Sequence, residues 1–230
     1  MTGLVVQARL GSTRLARKAL LPLGGATMLD MVLARLSLVE ADARILATEA
    51  SSRKELAPIA RRHGFALVIG SEEDVLSRYC KAIGEFGLDR VIRATGDNPL
   101  VCHEAANLLV ARREGRETDY ASYVGLPLGM GVEFVSASAL LAAERESDDP
   151  LEREHVCPHL YNHPERFSID RPEAPFEYRF PEGRVTVDTI EDYEFVRGLY
   201  GAYYDGRPIP SSLIVSALAE RSPTGGPEAA

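Results

Sequence analysis

An α/β fold with a mostly parallel sheet and helices on both faces is what this sequence predicts, on three observations. Up to residue 113, short apolar runs alternate with amphipathic segments in the order β-α-β-α-β-α-β-α. The runs are nearly continuous in apolar residues, as strands buried on both faces are. The chain has 230 residues and 45% hydrophobic content, enough for a sizeable core in one α/β domain.

The first strand is Leu4-Val5-Val6. The apolar pattern then stops, and Arg9, Gly11, Ser12, Thr13, Arg14, Arg17 and Lys18 follow at once. Such a loop suits an anion. Gly11 lets backbone approach a ligand closely, while Ser12 and Thr13 add N–H and O–H donors. Arg14 clamps a phosphate by its fork and Lys18 as a point charge. The loop lies between a first strand and a first helix, where open α/β sheets bind ligands. It contains neither G-x-x-x-x-G-K-[ST] nor G-x-G-x-x-G. On spacing alone, a solvated basic loop fits equally well.

Gly24-Gly25 marks a turn, and Thr27 caps a helix over 28–38 with Met28, Leu29, Val32, Leu33 and Leu36 on one face. A strand at 43–48 leads to a helix capped by Ser51 or Ser52 and stopped by His63-Gly64. A third strand covers 65–69. A helix over 72–86 turns Val75, Leu76, Tyr79 and Ile83 inward. The fourth strand, 89–94, runs into Thr95-Gly96-Asp97-Asn98-Pro99, and a helix spans 103–113. After that the rhythm breaks. Strands are expected at 120–123, 131–135, 167–169, 177–180 and 184–187, and helices at 137–145, 150–161, 190–203 and 211–219. The last residues, 221–230, are rich in Gly, Pro and Ala and read as a flexible tail.

Net charge is −8, so no global basic field invites nucleic acid or anionic lipid, and the cations of the first loop form a local patch. No apolar run approaches transmembrane length, and Met1 leads into a core strand rather than a signal peptide. A cytoplasmic protein that contacts neither membrane nor nucleic acid is expected. Cys80, Cys102 and Cys157 form no C-x-x-C and read as reduced thiols.

Two aspartates stand at strand ends, Asp97 in Arg93-Ala94-Thr95-Gly96-Asp97 and Asp188 in Thr186-Val187-Asp188. Alone, each reads as a turn former, and Asp188 as a cap for the helix from Ile190. In a parallel sheet both reach the edge that carries the 9–18 loop. Two carboxylates facing a phosphate cradle meet the needs of Mg²⁺, which takes few protein oxygens and fills its octahedron with phosphate and water. His155 is the candidate general base for a hydroxyl acceptor, although a capped helix histidine is an equally ordinary reading. His103, His159 and His163 read as structural or solvent-facing. The H-x-x-x-H at His159 and His163 lacks a third ligand.

The opening QARLGSTRLARKAL resembles the N-terminal signature of the cytidylyltransferases that activate acidic sugars, of the acylneuraminate and 3-deoxy-manno-octulosonate type. The spore-coat polysaccharide branch is the nearest in pattern. GSEEDVLSRYCKA resembles that branch's G-S-x-x-D-V-L-x-R-Y element, and RATGDNPLV its second strand-end motif. LGMGVEFVSASAL, EREHVCPHLYNHPERF and RVTVDTIEDYEFVR resemble three more in the same order, over about residues 3–203. The resemblance implies a GT-A-like (Rossmann-like) fold in one domain, 1–220, with a small α+β insertion at about 120–180 used for homodimerisation. It also implies transfer of CMP from CTP to a small anionic acceptor, releasing pyrophosphate, in surface polysaccharide or related biosynthesis. That acceptor would be an acidic sugar, a sugar phosphate or a phosphonate.

By position, Arg9, Ser12, Arg14 and Lys18 would hold the CTP phosphates. Ala8, Gly70, Ser71 and Asp74 would lie near cytosine and ribose, with Gly11 and Arg93 also on the nucleotide. Asp97 and Asp188 would be ligands of Mg²⁺, for which Mn²⁺ can substitute. Glu133, Arg153 and Glu154 would face the acceptor beside His155. Arg153 and His155 stand two apart and cannot share a helix face; both are expected to reach the ligand, with His155 near a helix start or kink. One departure from the pattern is Ala16-Arg17, where the family has Pro-Gly before the loop lysine. A transferase of another NTP and a non-catalytic nucleotide-binding module are the alternatives. The second is disfavoured by the presence of Lys18, Asp97 and Asp188 together.

Overall fold

The computed structural model describes residues 1–12, 14–113 and 117–221. Thr13 and the tail beyond Arg221 lie outside them. Strand β1 (Thr2–Gln7) sets the layering. Leu4 and Val6 face one side of the sheet and Val5 the other, all with no exposed surface. A small antiparallel pair, β2 (Pro22–Leu23) and β3 (Ala26–Thr27), precedes α1 (Met28–Leu36). The Thr27 hydroxyl accepts the Asp30 N–H and the Asp30 carboxylate accepts the Thr27 N–H, a capping box that fixes where the helix begins.

The chain continues through β4 (Ala43–Glu49), α2 (Arg53–Arg62), β5 (Ala66–Gly70), α3 (Val75–Phe86), β6 (Arg90–Thr95) and α4 (His103–Arg113). This is the alternation the apolar runs predict. Helices α1, α2 and α4 pack on the Leu4 and Val6 side, with Leu33, Leu56, Ile59 and Leu109 buried there. Helix α3 packs on the Val5 side through Val75, Leu76, Tyr79 and Ile83.

The rest of the chain adds β7 (Tyr120–Ala121), β8 (Glu133–Ser136), α5 (Ala137–Glu146), α6 (Pro150–His155), α7 (Pro158–Asn162), β9 (Ile169–Asp170), α8 (Ile190–Tyr203) and α9 (Ser211–Arg221). Among the described residues the main sheet has seven strands in the order β5-β4-β1-β6-β8-β7-β9. The first four are parallel, while β8 runs antiparallel to both β6 and β7. The 120–180 stretch therefore grows on the edge of the main sheet. Its β7–β8 pair is covered within the chain, and the marginal stability of a lone hairpin supplies no reason for a second copy here.

Three expected elements differ. The helix expected over 150–161 is two helices, broken at Val156, whose φ of 74° is left-handed. The strand expected at 177–180 is a 3₁₀ turn, Phe176–Tyr178. Pro172, Pro175 and Pro181 surround it and remove the N–H groups a ladder needs. Residues 184–187 are extended but form no strand, because their partners are loops. Val185 N–H donates to the Leu128 carbonyl at 2.8 Å and Val187 N–H to the Asp97 carbonyl at 2.9 Å. A third apolar cluster, with Leu23, Met28, Val185, Val187, Val196 and Ile214 buried, seats α8 and α9 against that segment.

Candidate active site

The strand order places a switch point between β1 and β6, whose carboxyl ends border a crevice of the kind where open α/β sheets take ligands. Gln7, Ala8 and Arg9 leave β1 into a cleft, and Thr95, Gly96 and Asp97 leave β6 into the same cleft. Gly96 is required there. Its N–H donates to the Gln7 carbonyl at 2.8 Å, and a Cβ on it would lie 2.8 Å from the Ala8 Cβ. The two strand ends thus stay joined to the rim.

Lys18 reaches the centre of the cleft. Its ammonium donates to Asp97 Oδ2 at 2.9 Å, to Asp188 Oδ1 at 3.0 Å and to the Val187 carbonyl at 2.7 Å. Asp97 is oriented by the Thr95 hydroxyl, which donates to Oδ1 at 2.6 Å. Asp188 is brought opposite by the bond from Val187 N–H to the Asp97 carbonyl. It does not cap α8. Thr189 and Asp192 form the capping box, and Asp192 accepts the Asp188 N–H at 2.9 Å. Arg14 approaches Asp188 Oδ1 at 3.3 Å, and Arg184 donates to Oδ2 at 2.8 Å. Burial pushes the Asp188 carboxyl upward, but the Lys18 bond and charge, with Arg14 and Arg184, outweigh it and hold it below the ordinary carboxylate range. An ammonium held by two carboxylates and a carbonyl marks an oxygen cage that a hard divalent cation fits. Both carboxylates touch one nitrogen, so they lie within the roughly 6 Å that ligands of one metal site can span.

The loop reaches this geometry by an unusual backbone. Arg17 adopts φ 54° and ψ 30°, the left-handed conformation glycine takes at little cost. That is the position where the family pattern has Gly. The Arg17 guanidinium pairs with Glu55 on α2, which helps hold the strained turn.

Of the other residues singled out by sequence, Ala8, Arg9, Ser12, Arg93, Glu154 and His155 line the cleft, with Arg9 and Glu154 paired at 3.3 Å. Gly11, Gly70, Ser71, Asp74, Glu133 and Arg153 do not. Gly70 is needed for a different neighbour, since a Cβ on it would fall 2.6 Å from Arg78 Cγ. Asp74 caps α3, accepting the Ser77 N–H at 2.9 Å. Arg153 turns to Asp74, which it grips at 2.9 and 2.7 Å through Nε and Nη2, and its Nη1 donates to the Glu144 and Ser147 carbonyls. So only one of the Arg153–His155 pair faces the cleft, as the helical spacing requires when the kink falls after His155. Glu133 pairs with Arg93 beneath the cleft and accepts the Tyr120 hydroxyl at 2.8 Å. Burial alone would lower the Arg93 pKa, but the charge of Glu133 raises it further, so this guanidinium is fixed as a cation.

Arg78 was not read from the sequence as a site residue. It lines the cleft, is only 1% exposed, and has no partner for Nε or Nη1. The signal was present. Positions 75, 78, 79, 82 and 83 form the buried stripe of α3, and Arg78 is the one charge on it. A buried guanidinium with free N–H groups is costly unless a ligand satisfies them. Gln7, Asn98, Gly129 and Thr186 also line the cleft without having been singled out.

A Cytidylyltransferase family model matches residues 4–209. The spore coat polysaccharide biosynthesis protein SpsF of Bacillus subtilis (strain 168) is 35% identical over 97% of this chain and 96% of its own length. A cytidylyltransferase from Leptospira borgpetersenii serovar Hardjo-bovis superposes with a TM-score of 0.85 at 28% identity, covering 95% of this chain and 93% of that one. A CMP:2-keto-3-deoxy-manno-octonic acid synthetase solved in complex with CTP has a TM-score of 0.66 at 17% identity, covering 87% of this chain and 98% of that one. With this fold and strand-end site, the chain belongs to the cytidylyltransferase family and is a nucleotidyltransferase. No helix among the described residues is long and apolar enough to cross a membrane.

Two outcomes follow from the geometry. Arg17→Ala keeps the strained backbone and loses the Glu55 pair, whereas Arg17→Gly loses the pair and relieves the backbone. The urea midpoint of Arg17→Gly should exceed that of Arg17→Ala, and the reverse order would show that the turn is not strained. Asp188 has a folded value below its unfolded one (about 3.9), so its contribution to stability is complete above the unfolded value and is lost as pH falls through the folded value. The stability gap between wild type and Asp188→Asn, read by urea titration, should be full at pH 7 and shrink below about pH 4. A gap constant with pH would contradict that assignment.

Proposed function

We propose that the chain transfers CMP from CTP to a small anionic acceptor. The observation that carries this reading is the convergence of Asp97 and Asp188, far apart in the chain, on the Lys18 ammonium beside Arg14. Arg9, Ser12, Arg14 and Lys18 bind the triphosphate. Asp97 and Asp188 would hold Mg²⁺, or Mn²⁺ in its place. When bound, that ion neutralises phosphate charge and aligns the α-phosphate for in-line attack.

The acceptor oxygen forms a new bond to the α-phosphorus, and the bond to the bridging α–β oxygen breaks. Lys18 and Arg14, released from the carboxylates, follow the charge that develops on the departing pyrophosphate. His155 takes the proton if the acceptor is a hydroxyl; a phosphate or phosphonate acceptor has none to give up. We place the acceptor toward α6, where His155, Glu154 and Arg93 line the cleft and Arg93 Nε has no partner. Its likeness to a spore coat polysaccharide biosynthesis protein and to a CMP:2-keto-3-deoxy-manno-octonic acid synthetase supports an acidic sugar and surface polysaccharide biosynthesis as the setting.

We assign Arg78 to the nucleotide. Its stem packs on Gly70 and its charge interacts with Asp74, two positions expected near cytosine and ribose. Cytosine offers two adjacent acceptors, N3 and O2, to a guanidinium edge, whereas uracil turns N3–H toward it. Rejection by an unpaired donor is the strong kind of discrimination.

Calorimetric titration with Mg²⁺ should show CTP binding better than ATP, GTP or UTP. Absent or equal CTP binding would refute the reading. Asp97→Asn and Asp188→Asn should each lower kcat by at least about a hundredfold with the circular dichroism unchanged. Arg78→Ala should raise the KM for CTP and narrow the CTP-over-UTP preference. An altered acceptor KM with nucleotide preference intact would move Arg78 to the other substrate.

A further inference from the structure

Where α6 meets α7, two features that do not line the cleft come together. The first is the H-x-x-x-H of His159, on α7, and His163, at its C-terminal cap, whose ring centroids lie 4.8 Å apart. The second is Glu152, carried on α6. The chain turns back between them at Val156 through a γ-turn, with Cys157 N–H donating to the His155 carbonyl at 2.9 Å and φ at 74°. A γ-turn of that hand is rare and strained, above all for a β-branched residue. It returns His159 onto Glu152, with His159 Nδ1 2.8 Å from Glu152 Oε2. One ligand atom from each of Glu152, His159 and His163 lies within 4.8 Å of the others. That is a small side-chain rotation beyond the roughly 4 Å that two ligands of a ~2.1 Å site can span. The sequence had lacked a third ligand, and the fold supplies it.

Charge and tautomer point to a cation. His159 faces a carboxylate at each ring nitrogen, Glu152 at Nδ1 and Glu146 at Nε2, the latter at 3.3 Å. An imidazole with one proton satisfies one of them and turns a lone pair on the other. His163 has Glu165 at its Nδ1, 3.3 Å away. With Nε2–H of His159 donated to Glu146 and Nδ1–H of His163 donated to Glu165, each ring keeps one lone pair, and that of His159 faces Glu152. Carboxylates behind ligating imidazoles commonly fix the tautomer in this way. Three carboxylates, Glu146, Glu152 and Glu165, surround the pair, while Arg166 bonds Glu146. Ser147 donates its hydroxyl to Glu152 and orients it. His159 and Glu152 are largely buried, with side chains 8% and 13% exposed, while His163 at 42% leaves an entry path.

We propose that Glu152, His159 and His163 form a second divalent-metal site, apart from Asp97 and Asp188. Two imidazoles and one carboxylate favour Zn²⁺ or a similar borderline cation over Mg²⁺. The ion bridges α6 and α7 across the strained turn. His155, at the end of α6, lines the cleft, so the site steadies the helix that carries it.

The test is titration of the full chain with Zn²⁺ alone, without CTP or Mg²⁺, by calorimetry and by metal content after gel filtration. Wild type should retain one equivalent and melt at a higher temperature with Zn²⁺. His163→Ala, at a half-exposed position, should fold, melt normally without metal, bind Zn²⁺ at least about tenfold more weakly, and lose the metal-dependent rise. Glu152→Gln should weaken binding in the same way. The double variant Asp97→Asn/Asp188→Asn should bind Zn²⁺ as wild type does. Absent binding, binding indifferent to His163→Ala, or binding abolished by the Asp97/Asp188 variant would each overturn the proposal. The last would place the ion in the cleft. None of these outcomes bears on nucleotide choice, so the site stands or falls separately from the proposed transfer reaction.

Discussion

The ammonium of Lys18 between Asp97 and Asp188 is the interaction around which the molecule is arranged. Two carboxylates facing each other would repel, and the lysine's charge between them offsets that repulsion. Backbone bonds bring the lysine's three partners together, and the Thr95 hydroxyl and the Arg184 guanidinium orient the two carboxylates. Gly96 joins the β1 and β6 ends, and the bond from Val187 N–H to the Asp97 carbonyl pulls an extended segment from far along the chain against β6. The third apolar cluster, with Val185 and Val187 at its centre, keeps that segment there.

Around this pair the cleft divides by charge environment. The 9–18 loop supplies cations that already have carboxylate partners, so an incoming anion exchanges partners with them rather than meeting bare charge. Arg78 and Arg93 instead keep N–H groups with none. Such groups carry a desolvation penalty that only a ligand removes, which makes them better recognition elements than the loop cations. Beneath them Glu133 and Tyr120 form a buried floor that holds Arg93 in place. Under the proposed function, recognition accordingly falls to the buried arginines and charge neutralisation to the loop.

What was legible in the sequence was what local chemistry decides. Apolar runs marked the first four strands, and Thr27 and the stop at His63-Gly64 marked helix ends, because each depends on neighbours within a few residues. Asp97 was legible because it follows a strand of the parallel sheet, whereas Asp188 was read as a strand end and instead follows an extended segment held by loop bonds. Arg153 and Glu133 were read as facing the acceptor, yet each found a partner distant in sequence, Asp74 and Arg93, that no spacing rule reveals. A kink near His155 was expected, but its place and hand at Val156 were not legible for the same reason. Nothing in Glu-His-Val-Cys-Pro asks for a left-handed residue, and packing of α7 beside α6 imposes it. Arg17 shows the converse. The sequence lacks the glycine the turn calls for, and the turn forms anyway with help from Glu55.

The grip of Arg153 on Asp74 has a mechanical meaning. It is a two-pronged strut from α6 to the first turn of α3, and further bonds tie it to the end of α5. Helix α3 is in turn wedged against the sheet by Tyr79 and Leu76, neither of which has any exposed surface. The wall that bears His155 and the wall that bears Arg78 consequently form one stiff bracket, and neither swings without the other. Any adjustment to a bulky nucleotide then falls to the opposite wall, where the Ser12 and Arg17 N–H groups both donate to the Leu10 carbonyl.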